Sequence, residues 1–155
     1  TGNMSLPEIT YDPWFHDNSG EYNDTANVSQ NEQDLIYKTA LYNTRSFPNK
    51  TILRKTSLEA SNGVADESLD FVYIDARHDY KSVKEDINLW YPKVKKGGYV
   101  CGHDYLNGFI NGSEFGVIKA VKEFILENDI PRSSLKRTYE PWPSFYFKKK
   151  WLILS

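Results

Sequence analysis

The stretch LDFVYIDARHDYKSVKEDINLWYPKVKKGGYVCGHDY, residues 69–105, decides the fold. Its first residues form a nearly continuous apolar run, Leu69, Phe71, Val72, Tyr73 and Ile74, of the kind a parallel strand shows when both faces are covered. A cluster of charge follows at once: Asp75, Arg77, His78 and Asp79. SVKEDINLWYPKV then places Val83, Ile87 and Trp90 or Tyr91 on one helical face, opposite Lys84, Glu85 and Asn88. Lys95-Lys96-Gly97-Gly98 reads as the stop of that helix and a tight entry to the strand YVCGHDY, which again ends in charge, at His103 and Asp104. Strand, helix and strand, with polar residues at both strand ends, describe one parallel β-α-β unit.

Working outward, the same alternation extends in both directions. Upstream, ITYDPWF offers a short strand that Pro13 ends, and Ser29-x-x-Glu32 forms a capping box for a helix reaching about Arg45. In that helix Leu35, Ile36, Ala40 and Leu41 recur at helical spacing. TILRKTS is a further strand, and residues 59–66 read as a broken helix and turn around Asn62-Gly63. Downstream, GVIKAVKEFILEND is an amphipathic helix with Val117, Ile118, Val121, Phe124 and Ile125 inward. LKRTYE and SFYFKKKWLIL are most easily paired as an antiparallel hairpin. The expected fold is therefore α/β, a mostly parallel sheet with helices on both faces and a C-terminal antiparallel hairpin. No linker interrupts residues 1–155, so one domain is expected.

Composition narrows the function classes. A chain of 155 residues, 39% hydrophobic and 26% charged, suits a globular protein with a real core. A net charge of −2 argues against a nucleic-acid partner, and the basic run Lys148–Lys150 reads as a solvated turn or edge strand. Cys101 is the only cysteine, which excludes an internal disulfide and a cysteine metal cluster. No apolar run reaches membrane-spanning length, so no membrane partner is expected. The polar first residues do not read as a signal peptide, and the expected compartment is the cytoplasm. Five Asn-x-Ser/Thr sequons, at Asn3, Asn23, Asn27, Asn49 and Asn111, stand against that expectation.

Open α/β sheets bind ligands at the carboxyl ends of their strands. Three polar clusters fall there: Asp12-Pro13-Trp14, Asp75-Ala76-Arg77-His78 and His103-Asp104-Tyr105; Thr56-Ser57 makes a fourth. Some of these residues have simpler roles open to them, Asp79 as a helix cap and Arg77 as the partner of an acid. Asp12 stands where a mononucleotide-binding sheet places an acid on ribose hydroxyls. Asp75, His103 and Asp104 together could hold a hard or borderline divalent ion. His78 is a candidate general base, or a side chain bonded to Asp75 or to backbone. No GxGxxG fingerprint is present.

The combination IDxxHxY, helix, Gly-Gly, strand and HDY resembles the class I S-adenosylmethionine-dependent methyltransferases, in particular the small-molecule O-methyltransferase-like subgroup. YDPW, the YNDTANVS loop and the EQD helix extend the resemblance from about Tyr11 to Phe124. It implies a Rossmann-like sheet, S-adenosylmethionine as cofactor, and methyl transfer to a hydroxyl of a small molecule such as a sugar. Carried onto this chain, Asp12 would hold the cofactor ribose with Trp14 close by, and Ser57 and Leu58 would lie near the adenine. Asp75 would stand at both the cofactor and the metal. His103 and Asp104 fall where metal-dependent relatives carry an acid pair, so magnesium is less well served here than by two acids. Asp75, His78 and His103 are the catalytic candidates. The family's first strand and its glycine-rich loop should precede YDPW, and the ten residues there hold only Gly2. A β-α unit is thus expected to be missing: the sequence is an N-terminally incomplete piece of the domain, or a partner segment or an oligomer completes the sheet, or the domain has lost cofactor binding. Two other classes remain open: a metal-dependent hydrolase built on the His-Asp pairs, and a degenerate domain acting as an interaction module. Tyr22, Tyr105, Phe109 and Phe115, in the 15–28 and 105–115 loops, are candidates to stack on an acceptor ring or to pack back on the domain.

Overall fold

The computed structural model describes residues 8–20, 22 and 24–150. The turn-like reading of residues 1–7, the sequons at Asn3 and Asn23, and the last part of the final strand candidate (151–155) lie outside them. The chain divides into two compact units, residues 1–60 and 61–155.

In the first unit, β1 (Glu8–Asp12) and β2 (Lys50–Arg54) pair in parallel, with Asp12 opposite Arg54. Between them runs α1 (Gln30–Asn43), started by the expected capping box: Ser29 accepts from the Glu32 amide while Glu32 accepts from the Ser29 amide. The face of α1 differs from expectation. Leu35, Ile36 and Leu41 are exposed, and its buried residue is Gln33, whose side-chain amide donates to the Ala26 carbonyl at 2.8 Å. A polar tether to the preceding loop, rather than an apolar stripe, sets the orientation of that helix. After β2 comes the short α2 (Ser57–Ser61), where Thr56 and Glu59 form a second capping box.

The second unit holds a four-stranded sheet in the order β3-β4-β8-β7, formed by β3 (Leu69–Ile74), β4 (Val94–Gly102), β8 (Phe145–Lys148) and β7 (Lys136–Arg137). β3 and β4 are parallel; β8 joins β4, and β7 joins β8, antiparallel. Between β3 and β4 lies α3 (Tyr80–Trp90), with Asp79 as its N-cap accepting from the Ser82 amide at 3.0 Å. α4 (Val117–Glu127) packs beside it. Val83, Ile87 and Trp90 of α3 and Val121, Phe124 and Ile125 of α4 are buried, as are Val72, Ile74, Val100, Phe145 and Phe147 of the sheet. Each such side chain contributes about 1.5–3 kcal/mol by leaving water.

Three features depart from the sequence expectation. β3 is covered on one face only: Val72 and Ile74 are buried, while Phe71 and Tyr73 are 56% and 46% exposed. The Lys-Lys-Gly-Gly segment lies inside β4 and does not precede it. The helix instead ends in a 3₁₀ turn at Tyr91–Lys93 containing Pro92, and the pairing register jumps between Leu69↔Val94 and Phe71↔Tyr99. Gly97, at φ 78°, absorbs this bulge, and Gly98 lets the Asp70 carbonyl approach closely. Finally, residues 107–116 form a hairpin, β5 (Asn107–Ile110) and β6 (Ser113–Gly116). Its turn residues Asn111 and Gly112 both have positive φ (52° and 87°), the signature of a type I′ turn.

Candidate functional site

At the carboxyl end of β3 the chain delivers Asp75, and at the carboxyl end of the neighbouring β4 it delivers His103 and Asp104. The two ends are pinned together, since the His103 amide donates to the Ile74 carbonyl at 3.0 Å. Asp104 adopts φ 51°, a left-handed conformation that an aspartate tolerates better than most residues. One ligand atom from each of Asp75, His103 and Asp104 lies within 4.8 Å of the others. His103 Nδ1 is 3.0 Å from Asp104 Oδ1 and 3.9 Å from Asp75 Oδ1.

The electrostatics suit a cation. Burial pushes the Asp75 carboxyl above the usual carboxylate range, His103 pulls it down, Asp104 pushes it up further and His78 pulls it down. More than half of the Asp75 side-chain surface still meets solvent, so the effect is modest. Two carboxylates and one imidazole, converging at one point and partly exposed, could hold a divalent ion that accepts nitrogen beside oxygen, such as zinc or, less selectively, manganese, better than magnesium.

His78 stands beside this group, held by the hairpin. Its ring stacks on Phe115 with centroids 3.9 Å apart, and its carbonyl accepts from the Gly116 amide at 2.8 Å. Nδ1 lies 2.9 Å from the Glu114 carbonyl oxygen. A carbonyl can only accept, so Nδ1 carries a proton, and whenever the ring is in its neutral form its lone pair is on Nε2. Gly116 is required here because a Cβ would meet the Tyr80 backbone at 2.5 Å. Arg77 approaches the cap residue Asp79, Nε to Oδ2 3.6 Å, as the pairing with an acid expected of it.

The remaining site candidates lie in the first unit. Asp12, at the end of β1, is exposed, and its Oδ1 accepts from the Trp14 amide at 2.6 Å. Trp14 itself is buried, its indole 4.8 Å from the Tyr37 ring, so its backbone rather than its ring addresses the acid. Ser57 and Leu58 open α2 just beyond β2; Leu58 is exposed. Thr56 is engaged as a cap. The structure thus gathers Asp75, His78, His103 and Asp104 in one unit and Asp12, Ser57 and Leu58 at adjacent strand ends in the other. Of the proposed acceptor aromatics, Tyr105 and Phe115 are buried and Phe109 is exposed on the hairpin.

A family model described as a methyltransferase domain matches residues 7–105, more than half of the chain. The chain belongs to that family. Similar sequences include the uncharacterised protein R132 of Acanthamoeba polyphaga mimivirus, 32% identical over 81 residues, which are 50% of this chain and 37% of that protein. The uncharacterised protein y4gI of Sinorhizobium fredii is 32% identical over 72 residues, 46% of this chain and 8% of its own length. The chain therefore spans well under half the length of these relatives. Among solved structures, the O-methyltransferase NovP matches 94% of this chain and 60% of its own, with a TM-score of 0.59 at 17% identity. That likeness establishes the Rossmann-like methyltransferase fold. No helix among the described residues is long and apolar enough to cross a membrane.

Sequence reasoning missed two contributors. The hairpin that seats His78 was signalled by Asn111-Gly112. Arg54, which anchors the Asp12 strand end, carries no local signal.

Proposed function

We propose that this methyltransferase domain takes part in transferring the methyl group of S-adenosylmethionine to a hydroxyl of a small molecule, with a sugar or an aryl alcohol as the acceptor class. The observation that carries the reading is the convergence of Asp75, His103 and Asp104 at neighbouring strand ends, with His78 seated beside them. In the reaction the acceptor oxygen forms a bond to the methyl carbon as the carbon–sulfur bond breaks. S-adenosylhomocysteine leaves, and the hydroxyl proton goes to a base. His78 Nε2 is suited to take that proton, because the Glu114 carbonyl holds Nδ1 in its protonated form. A divalent ion on Asp75, His103 and Asp104 would supply Lewis acidity that makes the hydroxyl a stronger acid. Asp12 serves the cofactor ribose, and Leu58, exposed at the start of α2, serves the adenine face.

Incubation with S-adenosylmethionine labelled in its methyl group, manganese and a panel of sugar and aryl hydroxyl acceptors tests this. Label in an acceptor ether, lost in Asp75→Asn and displaced in pH profile by His78→Gln, supports the reading. Manganese-dependent hydrolysis with no label transferred would favour the hydrolase instead.

A further inference from the structure

Arg54 closes β2 opposite Asp12, and its guanidinium reaches back across the strand pair. Nη2 donates to the Trp14 carbonyl at 2.7 Å, and Nε donates to the Pro13 carbonyl at 3.2 Å. The Gln30 side-chain amide, from the first turn of α1, donates to the same Trp14 carbonyl at 3.0 Å. Asp34, one turn further along α1, accepts from both: from Gln30 at 3.0 Å and from Arg54 Nη2. Gln30 Oε1, the oxygen of the same side-chain amide, accepts from the His16 backbone amide at 3.1 Å, so the segment is gripped from two sides. The guanidinium and the Trp14 indole both face Tyr37, at 5.3 and 4.8 Å.

This grip is applied at a strained place. Trp14 has φ 42°, a conformation that costs a side-chain-bearing residue about 1–2 kcal/mol. Left to itself the turn would relax. Held, it presents the Trp14 amide to Asp12 Oδ1 at 2.6 Å and so fixes the rotamer of the carboxylate. The donors Arg54 and Gln30 touch backbone within the turn, and Asp34 ties them to each other. The hydrogen bonds from Arg54 and Gln30 also hold Asp34 below the usual carboxylate range.

We propose that Arg54, Gln30 and Asp34 are positioning residues: a clamp that holds the Asp12-Pro13-Trp14 turn in its strained form and thereby aims Asp12 at the two ribose hydroxyls of the cofactor. The proposal rests on the reading that Asp12 binds ribose, and deepens it. Arg54 acts through its fork, reaching two successive carbonyls and a carboxylate at once, which a lysine cannot reproduce although it keeps the charge.

The test uses the full chain and two ligands, S-adenosylmethionine and its 2′-deoxy counterpart, in calorimetric titrations, together with hydrogen exchange of the Trp14 amide. Wild type binds the ribose form tighter by about tenfold or more, the scale of one hydrogen bond to a charged group. Arg54→Lys and Gln30→Leu bring that ratio towards one, as Asp12→Asn does, and adding Arg54→Lys to Asp12→Asn changes the ratio no further. In Arg54→Lys the Trp14 amide exchanges about tenfold faster, at an unchanged urea midpoint. A variant that weakens both ligands equally, keeps the ratio and lowers the midpoint has a structural role only and overturns the proposal. A wild-type chain that fails to favour the ribose form overturns the ribose reading itself. The Trp14 amide then decides the clamp: faster exchange in Arg54→Lys upholds it, and unchanged exchange overturns it.

Discussion

Gly102, the last residue of β4, is where the site depends most directly on packing. A methyl group placed on it would sit 2.6 Å from Cε1 and 2.7 Å from Cζ of Phe145, and 2.8 Å from the Ile74 carbonyl oxygen. None of these atoms can move away cheaply. Phe145 is 1% exposed, with Tyr105 on one side at 5.6 Å and Phe147 stacked at 6.4 Å on the other. The Ile74 carbonyl is fixed by the His103 amide, the bond that brings the two strand ends together. Gly102→Ala therefore forces a shift approaching 1 Å on a filled core, and overpacking of this kind costs about 1–3 kcal/mol, here at the upper end. Urea unfolding followed by far-UV circular dichroism is the assay. With a urea m-value of about 2 kcal/mol/M, the midpoint falls by about 1–1.5 M at unchanged slope. Phe145→Leu in the Gly102→Ala background recovers part of that loss, because the removed ring edge is what the new methyl meets. A Gly102→Ala midpoint within about 0.3 M of wild type, about 0.6 kcal/mol at such a slope, would refute the packing argument.

In metal-free protein, Asp75→Asn stabilises slightly at neutral pH. The Asp75 carboxyl has its folded value raised by burial, so its favourable contribution exists at acid pH and is lost as pH rises through that raised value. Because the group is half-exposed the gain stays below about 1 kcal/mol, and thermal melts in chelator, one below the ordinary aspartate value of about 3.9 and one at neutral pH, show a larger difference at the higher pH. Lys149→Met destabilises by about 3 kcal/mol or more. Its buried ammonium donates to the Tyr91, Pro92 and Val94 carbonyls at 3.1, 3.2 and 2.8 Å, and methionine leaves all three without that donor; urea unfolding measures it. His103→Asp converts the ligand set to three carboxylates, and magnesium affinity by calorimetry rises relative to zinc by about tenfold or more.

Sequence legibility followed the range of the signal. The caps of α1 at Ser29 and of α3 at Asp79 lie where the local pattern put them, and of the inward face read for α4, Val117, Val121, Phe124 and Ile125 are buried while Ile118 is half-buried. The placement of Asp75, His103 and Asp104 at neighbouring strand ends was also legible, because a parallel strand-helix-strand order dictates it. What escaped depended on contacts between distant segments. Phe71 and Tyr73 made β3 look covered on both sides, since an apolar run cannot show which of its residues find a partner. Lys95–Gly98 looked like a helix stop because two glycines serve a bulge as well as a turn. Leu35 and Ile36 suggested a buried stripe, whereas Gln33 and Gln30 orient the helix through backbone carbonyls. The bond from Arg54 to Trp14 joins residues 40 apart, and no spacing rule announces it. Two local signals also stood in the sequence, the Asn111-Gly112 turn and the Thr56-x-x-Glu59 capping box.

The central claim is that this methyltransferase domain holds S-adenosylmethionine through Asp12. Titration of S-adenosylmethionine into the chain by calorimetry, in wild type and in Asp12→Ala, tests it most directly. The account predicts saturable one-to-one binding that weakens by about tenfold or more in the variant, as loss of a charged hydrogen-bond partner requires. Binding of equal strength in both proteins, or none in either, would contradict it.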